Sequence, residues 1–315
     1  MRYRRTILVL FILALFNTVA MKAQTPASAA NYFQHGASKV QRGDLDGALE
    51  DYTRAIEISS RLSPAKHTTS WGGRKAVDST EADRISVVDP FTARAYANRG
   101  IVRYRKGDID GAISDVDKAL RIDSGLAEAY LARAVFRRAR NDAKGALADF
   151  DRALAINSRL AEAYIDRGDL RLDMGNVDDA IADLDRALRL KPHYPDTYYA
   201  LGYARIARRE FDEAIANFNQ AIKFDSGMAW AYHGRGTAWM SKGKLDQAIA
   251  DFGHALELDA GLAFSHMNRG LALLLQNRDA AAQKDFDQCL GLKPDIRADL
   301  ERHIALAKEI RSRKN

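Results

Sequence analysis

The chain repeats itself at a regular interval. A small residue marks the period, at Gly100, Ala134, Gly168, Gly202, Gly236 and Gly270. A period of this length, about 34 residues, is typical of an array of stacked supersecondary units, each of which contacts only its neighbours. The chain is therefore expected to fold as a solenoid and to offer a long surface to partners.

Three further series keep the same period. The first series consists of small residues: Ala48, Ala112, Ala146, Ala180, Ala214, Ala248 and Ala282. Four positions later comes a bulky series: Tyr52, Val116, Phe150, Leu184, Phe218, Phe252 and Phe286. Three positions further on, a second small series follows: Ala55, Ala119, Ala153, Ala187, Ala221, Ala255 and Cys289. This spacing predicts one face of an α-helix packed closely against other helices.

Each copy contains two helices. Between 161 and 174, apolar residues recur at three and four spacing; Gly175 and Asn176 interrupt the pattern, and a second run continues from 177 to 190. Short polar side chains at the start of the second helix are expected to cap it: Asp44, Asp108, Asp142 and Asn176. Neither helix can bury its apolar face alone, so neighbouring copies must stack.

Two pairs of segments resemble the tetratricopeptide repeat family: 93–100 followed by 106–112, and 161–168 followed by 175–180. Seven copies are placed at 29–62, 93–126, 127–160, 161–194, 195–228, 229–262 and 263–296. The resemblance implies an all-α fold, a right-handed α-solenoid of seven helix-turn-helix repeats. Ala134 and Cys289 depart from the family pattern, and its helix-ending proline occurs only at Pro192 and Pro294.

Two segments outside the copies have different patterns. Residues 63–92 form an insert between the first two copies, and a loop of this length is either functional or disordered. Residues 297–315 are predicted to be a capping helix followed by a basic tail. Apolar residues fall on one side of that helix, which an array needs in order to shield its last core face from water.

Residues 1–23 are predicted to be a signal peptide. Arg2, Arg4 and Arg5 precede an apolar run from 7 to 16, and small residues follow up to Ala23. Cleavage would leave an exported chain, periplasmic or secreted; the alternative is a membrane anchor formed by an uncleaved N-terminus, although the run is short for a span. Removing the four cations, which include Lys22, lowers the net charge from +6 to +2. A nearly neutral domain gives no electrostatic reason to expect nucleic acid as a partner.

Catalysis and metal binding find no support. The seven histidines include no His-x-x-x-His pair, and the single cysteine, Cys289, occupies a helix-contact position and is expected to be a buried small residue. His233 and His266 lie in neighbouring copies, but two imidazoles without a third ligand make a weak metal site. We therefore expect no enzyme activity, no cofactor, no metal and no small-molecule substrate.

Arginine and aspartate recur together at one fixed separation. The pairs are Arg99 and Asp115, Arg133 and Asp149, Arg167 and Asp183, Arg235 and Asp251, and Arg269 and Asp285. In the fifth copy both members change together, to Leu201 and Asn217, which indicates a bond within each copy. The favoured interpretation is a partly buried ion pair that sets the register of two helices, and the alternative is a charged ladder for ligands.

The resemblance also implies where a partner would bind, because first helices line the inner surface in this family. Partner-binding residues are predicted in the last three copies, and we call them the inner strip: Tyr199, Tyr203, Ile206, Trp230, His233, Met240, Phe264, Met267 and Leu271. Aromatic and apolar strips usually mark partner sites. The predicted function is a non-catalytic scaffold that binds a protein or peptide in the concave groove.

The alternative is a self-associating structural envelope protein that uses the strip as a homodimer contact. The apolar end of the strip, in the seventh copy, is also open to a third interpretation. Either the terminal helix or a second molecule is expected to cover it, if no partner does.

Overall fold

The computed structural model describes residues 28–62 and 90–313, and within these ranges all regular structure is helical. The described residues form fifteen α-helices, one short 3₁₀ turn at Pro294–Ile296 and no strand. The α-helices, in chain order, are α1 Ala29–Gln41, α2 Leu45–Leu62, α3 Pro90–Arg105, α4 Ile109–Ile122, α5 Ala127–Ala139, α6 Ala143–Ile156, α7 Ala161–Asp173, α8 Val177–Leu190, α9 Pro195–Ala207, α10 Phe211–Phe224, α11 Ala229–Ser241, α12 Leu245–Leu258, α13 Ala263–Leu275, α14 Asp279–Leu292 and α15 Arg297–Ser312. The all-α fold of seven helix pairs and a terminal helix is confirmed.

The described residues divide into two compact units, one that ends at residue 166 and one that begins at residue 167. In the first unit, α1 packs on α2, α3 on α4 and α5 on α6, while α2 and α4 also pack on the first helix of the next copy. In the second unit, α9 packs on α10, α11 on α12 and α13 on α14, and α8, α10 and α12 pack on the first helix that follows each of them. Within each unit, the copies named here are thus helix pairs stacked on their neighbours.

The periodic face of the second helices forms the core. All members of the first small series and of the bulky series are buried, and so are all members of the second small series, including Cys289. Burial raises the pKa of the Cys289 thiol, so the residue behaves as the small apolar residue that was predicted.

The periodic glycine series allows the first helix to approach the bulky residue of its own copy. A Cβ atom at Gly202 would lie 2.6 Å from the ring of Phe218, and one at Gly270 would lie 2.5 Å from Phe286. A Cβ atom at Gly234, from the following copy, would also meet the ring of Phe218, at 2.4 Å. The aromatic ring therefore fills space that two missing side chains leave open.

Side-chain caps begin three of the four second helices for which we predicted them. The carboxylates of Asp44, Asp108 and Asp142 accept from backbone amides three residues later, at 2.9, 2.9 and 2.8 Å. The prediction for Asn176 was wrong, because α8 has no side-chain cap. Asp178 and Asp179 in its first turn place negative charge near the helix N-terminus instead.

The structure covers only part of the remaining segments. The predicted signal peptide and residues 63–89 of the predicted insert lie outside the described residues, and α3 begins at Pro90, within the last part of that insert. The terminal helix follows the predicted cap from 297, while the last two residues of the basic tail are not among those described.

Candidate protein-binding surface

The inner strip lies on the first helices of three consecutive copies. Tyr199, Tyr203 and Ile206 lie on α9, and the strip residues of the next two copies lie on α11 and α13. All nine residues belong to the second unit, and α9 contacts α11 as α11 contacts α13. The structure therefore brings the three predicted segments next to each other on adjacent helices.

On α9 the strip is aromatic and half-buried. The rings of Tyr199 and Tyr203 lie 4.9 Å apart, and both meet the buried Phe218 edge-on, at 6.3 and 5.4 Å between centroids. Ile206 packs against the same cluster. Edge-to-face aromatic contacts of this kind hold rings in fixed positions. The outer faces of these side chains are thus presented by a rigid support.

On α11 the strip residues differ in exposure. Trp230 and Met240 are half-buried, and Trp230 meets the ring of His233 edge-on at 5.6 Å. His233 itself is buried, and its Nδ1 lies 2.8 Å from Oγ of Ser265 on α13. Loss of hydration lowers the pKa of His233 to about 4, so the ring is neutral near pH 7. This histidine supports the strip from beneath, whereas we expected it in the groove.

On α13 only part of the strip is accessible. Phe264 is 41% exposed and Met267 is partly buried. Leu271 is only 7% exposed, because it packs with Leu274 against Leu300 and Ala307 of α15. The structure thus differs from the expectation of an open groove residue at Leu271. In the seventh copy, the terminal helix covers this end of the strip.

The predicted arginine–aspartate bonds are present in every copy that carries both residues, and each is bidentate. In the second copy, Nε and Nη2 of Arg99 donate to the two carboxylate oxygens of Asp115, both at 2.8 Å. The four other pairs have donor–acceptor distances of 2.5 to 2.9 Å. The aspartates are buried, and the bonds link the two helices of one copy. This supports the structural interpretation over a ladder for ligands.

Sequence reasoning missed two sets of polar contacts. In the second to fourth copies, a second arginine one turn after the first also reaches the shared aspartate, as Arg137 does with Asp149 at 2.8 Å. Other bonds connect neighbouring copies. In these, a residue at the start of the second helix of one copy pairs with a residue at the end of the first helix of the next copy, as Asp178 does with Arg208 at 3.1 Å. Their signal in the sequence is an aspartate that recurs at a fixed spacing before a polar or basic residue of the next copy.

His266 does not meet His233. It is buried, and its Nδ1 lies 2.8 Å from Oδ1 of Asp285, which also binds Arg269. Among the residues that the structure describes, no group of three or more histidine, cysteine, aspartate or glutamate side chains is arranged to hold a metal ion. Within the same ranges, no helix is both long enough and apolar enough to cross a bilayer.

Fold and surface together define an α-helical repeat protein with an aromatic and apolar strip along its first helices. Models of the tetratricopeptide repeat match residues 74–127, 165–229, 231–261 and 265–296, more than half of the chain. The chain therefore belongs to the tetratricopeptide repeat family. Proteins of this family generally mediate protein–protein interaction and are typically not catalytic.

Solved structures show the same fold at low sequence identity. A tetratricopeptide repeat protein from Parabacteroides merdae shares 21% identity, with a TM-score of 0.61 over 89% of this chain and 98% of that one. The pilF protein of Pseudomonas aeruginosa shares 19%, with a TM-score of 0.58 over 68% and 94% of the two chains. A chain of the APC/C heterotetramer Cut9–Hcn1 shares 16%, with a TM-score of 0.60 over 88% and 55%. Comparison with curated proteins gave no match.

Proposed function

We propose that this chain is an exported, non-catalytic scaffold that binds a segment of another protein on its inner strip. The observation that carries the proposal is the set of aromatic and apolar side chains, half-buried or exposed, on α9, α11 and the start of α13. The strip used for binding is the part that stays at least partly accessible, and it consists of Tyr199, Tyr203, Ile206, Trp230, Met240, Phe264 and Met267.

The chemistry of this strip favours an apolar partner segment over a charged one. Tyr, Trp, Phe and Met are enriched in the cores of protein interfaces, where their large side chains bury much apolar area. The edge contacts of Tyr199 and Tyr203 with Phe218 hold these rings before a partner arrives, and pre-ordered side chains lower the entropic cost of binding.

The test is photo-crosslinking in the native organism from Trp230 and Phe264, with Leu258 as control. Leu258 is an apolar residue, 48% exposed, at the end of the second helix α12 and outside the strip. A partner caught only from the strip is then purified, and its affinity is measured for the wild type, Tyr203→Glu and Leu258→Glu. We expect Tyr203→Glu to weaken binding at least about tenfold and the control to leave it unchanged.

Two results would contradict the proposal. Equal capture from Leu258 and from the strip would show that the strip is not selective. Light scattering that finds a dimer, broken by Tyr203→Glu, would show that a second copy occupies the strip.

The export proposal rests on residues 1–23 and is tested separately. The intact mass of the chain purified from the native organism is expected to correspond to cleavage after Ala20 or Ala23. A chain that retains its first residues in the membrane fraction would favour the anchor instead.

A further inference from the structure

Two tyrosines at the same position of neighbouring copies have cations on their rings. In the first unit, Tyr96 lies on α3 and Tyr130 lies one period later on α5, and both are half-buried. Nζ of Lys118, on α4, lies 5.6 Å from the centroid of the Tyr96 ring. In the next copy, Cζ of Arg152, on α6, lies 5.9 Å from the centroid of the Tyr130 ring. Because an aromatic face attracts a cation, the rings hold both charged side chains in place.

The two cation–ring pairs are connected through side-chain contacts. Nη1 of Arg133 donates to Oδ1 of Asp117, the residue next to Lys118, at 2.6 Å. Cζ of the same arginine lies 5.4 Å from the centroid of Tyr130, the ring that also contacts Arg152. The contacts thus run from α4 through α5 to α6, and Lys118 and Arg152 belong to one continuous surface.

The cations of this surface are accessible and form no ion pair. Arg121 follows Lys118 by about one helical turn on α4, so the two side chains lie on the same face. Arg121 and Arg152 are exposed. Within the ranges 28–62 and 90–313, no ion pair links Lys118, Arg121 or Arg152 to a carboxylate. The carboxylate of Asp123 accepts instead from the backbone amide two residues later, at 2.8 Å. We call Lys118, Arg121 and Arg152 the basic patch.

The fifth and sixth copies show that the repeat does not require these cations. The position of Lys118 is occupied there by Gln220 and His254. His254 lies 5.6 Å from the ring of Tyr232, as the cations do in the first unit, but its Nδ1 lies 3.0 Å from Oε2 of Glu257. The fold therefore forms equally well with a neutral side chain or with an acidic partner at this place.

We propose that the basic patch binds an acidic segment of a partner protein, whose aspartate or glutamate carboxylates pair with Lys118, Arg121 and Arg152. Charge complementarity favours this occupant, because ammonium and guanidinium groups form strong charge-assisted hydrogen bonds to carboxylates. The rings of Tyr96 and Tyr130 order two of the cations in advance, which lowers the entropic cost of binding. The inference goes beyond the proposed function, because the basic patch lies in the first unit and the inner strip lies in the second.

Two other anionic partners fit the basic patch less well. A membrane surface is bound through apolar side chains as well as through cations. Among the described residues of the first unit, Ile156 is the only large apolar side chain that is exposed. Nucleic acid binding depends on the neutralisation of many phosphates, and the basic patch is small. A short acidic protein segment matches both the charge and the size of the patch.

The test is the binding of a fluorescein-labelled decaglutamate peptide to the full chain, measured by fluorescence anisotropy at low and at high salt. The patch variant combines Lys118→Gln with Arg152→Gln, and a charge-keeping variant combines Lys118→Arg with Arg152→Lys. The control variant combines Lys223→Gln with Lys284→Gln, which removes the same charge from exposed positions of the second unit. Lys223 is a close match, because its Nζ also lies over a ring, that of Phe224, at 5.9 Å. Circular dichroism first establishes that all variants are folded.

We expect saturable binding that weakens with salt and that the patch variant weakens at least about tenfold. The control and charge-keeping variants should bind as the wild type does. An equal loss in the control variant, or no saturable binding to the wild type, would overturn the inference. Binding of phosphatidylglycerol vesicles or duplex DNA that the patch variant abolishes, while peptide binding is unchanged, would also overturn it, since the occupant would then be a lipid surface or a nucleic acid. Every variant leaves the inner strip intact, so the result is independent of the proposed function.

Discussion

One residue in the turn between the two helices has left-handed backbone in every copy. It is glycine at four of these turns, at Gly43, Gly107, Gly175 and Gly243, but Asn141, Arg209 and Asn277 stand at the equivalent place with φ of 65°, 62° and 60°. A side chain makes this conformation costly, and asparagine tolerates it better than arginine does. Arg209 is therefore the most strained of these residues.

We predict that Arg209→Gly raises the free energy of unfolding by about 0.5 to 1 kcal/mol, because glycine adopts positive φ without a clash. The measurement is urea unfolding followed by circular dichroism. Gly243→Ala provides the reverse comparison, since its φ is 72° and no atom lies near its missing Cβ; it should destabilise by about 1 kcal/mol. Equal stability of wild type and Arg209→Gly would contradict this account of the turn.

His233 gives the second unit a pH-dependent stability. Because burial lowers its pKa from 6.5 to about 4, the unfolded chain takes up a proton at a higher pH than the folded chain does. The stabilisation is complete above about pH 6.5 and is lost as the pH falls from there towards 4. The ring touches Trp230, Phe252 and Ser265, none of which supplies a charge that would hold the imidazolium form.

We expect the wild type to lose about 1 to 2 kcal/mol more unfolding free energy than His233→Gln between pH 7.5 and pH 5. Glutamine is neutral throughout and can keep a hydrogen bond to Ser265. Denaturant melts at both pH values provide the comparison. Parallel losses in the two proteins would show that His233 does not titrate in this range.

At the scale of the helix, the bidentate ion pairs join the two members of a copy. Arg235 on α11 donates from Nε and Nη2 to Asp251 on α12, at 2.8 and 2.6 Å. The fifth copy has no such pair, because Leu201 and Asn217 stand at the two positions. Leu201 is buried, and Asn217 donates from Nδ2 to the backbone carbonyl of Glu213. The two arrangements are alternative solutions to one helix contact.

A double-mutant cycle tests this interpretation. We predict that Arg235→Leu or Asp251→Asn alone lowers the free energy of unfolding by about 2 to 4 kcal/mol, because each change leaves the other member of the pair without its ion-pair partner. The double variant, which copies the fifth repeat, should lose at least about 1 kcal/mol less than the sum. Strict additivity in urea melts would mean that the pair is not a unit.

At the scale of the molecule, stability requires that another element cover the apolar surface of the last copy, and α15 does so. Leu300→Ala should cost about 2 to 4 kcal/mol, because the cavity would open against Leu271 and Leu274. Leu306→Ala on the same helix is the control; that residue is 54% exposed and should change stability by no more than about 0.5 kcal/mol. Thermal melts of the two variants provide the measurement, and equal melting temperatures would contradict a covering role for α15.

Most of the fold was predictable because each copy repeats the same local pattern. The period located the helix pairs, and the fixed arginine–aspartate spacing located the bidentate ion pairs, since residues that recur at one position of a repeat occupy one environment. Asn176 was the exception among the caps. Residue type alone does not determine whether a side chain turns towards the free amides.

The sequence by itself determined the repeat, its helix pairs, its core and the helices that carry the inner strip, because all of these follow from contacts within one copy or between neighbours. Only the tertiary structure decided which strip residues face outwards. His233 lies beneath the strip because Ser265 of the next copy takes its hydrogen bond, and Leu271 is covered because α15 packs on α13. Both outcomes depend on how one element packs against another, which no spacing within a single copy specifies.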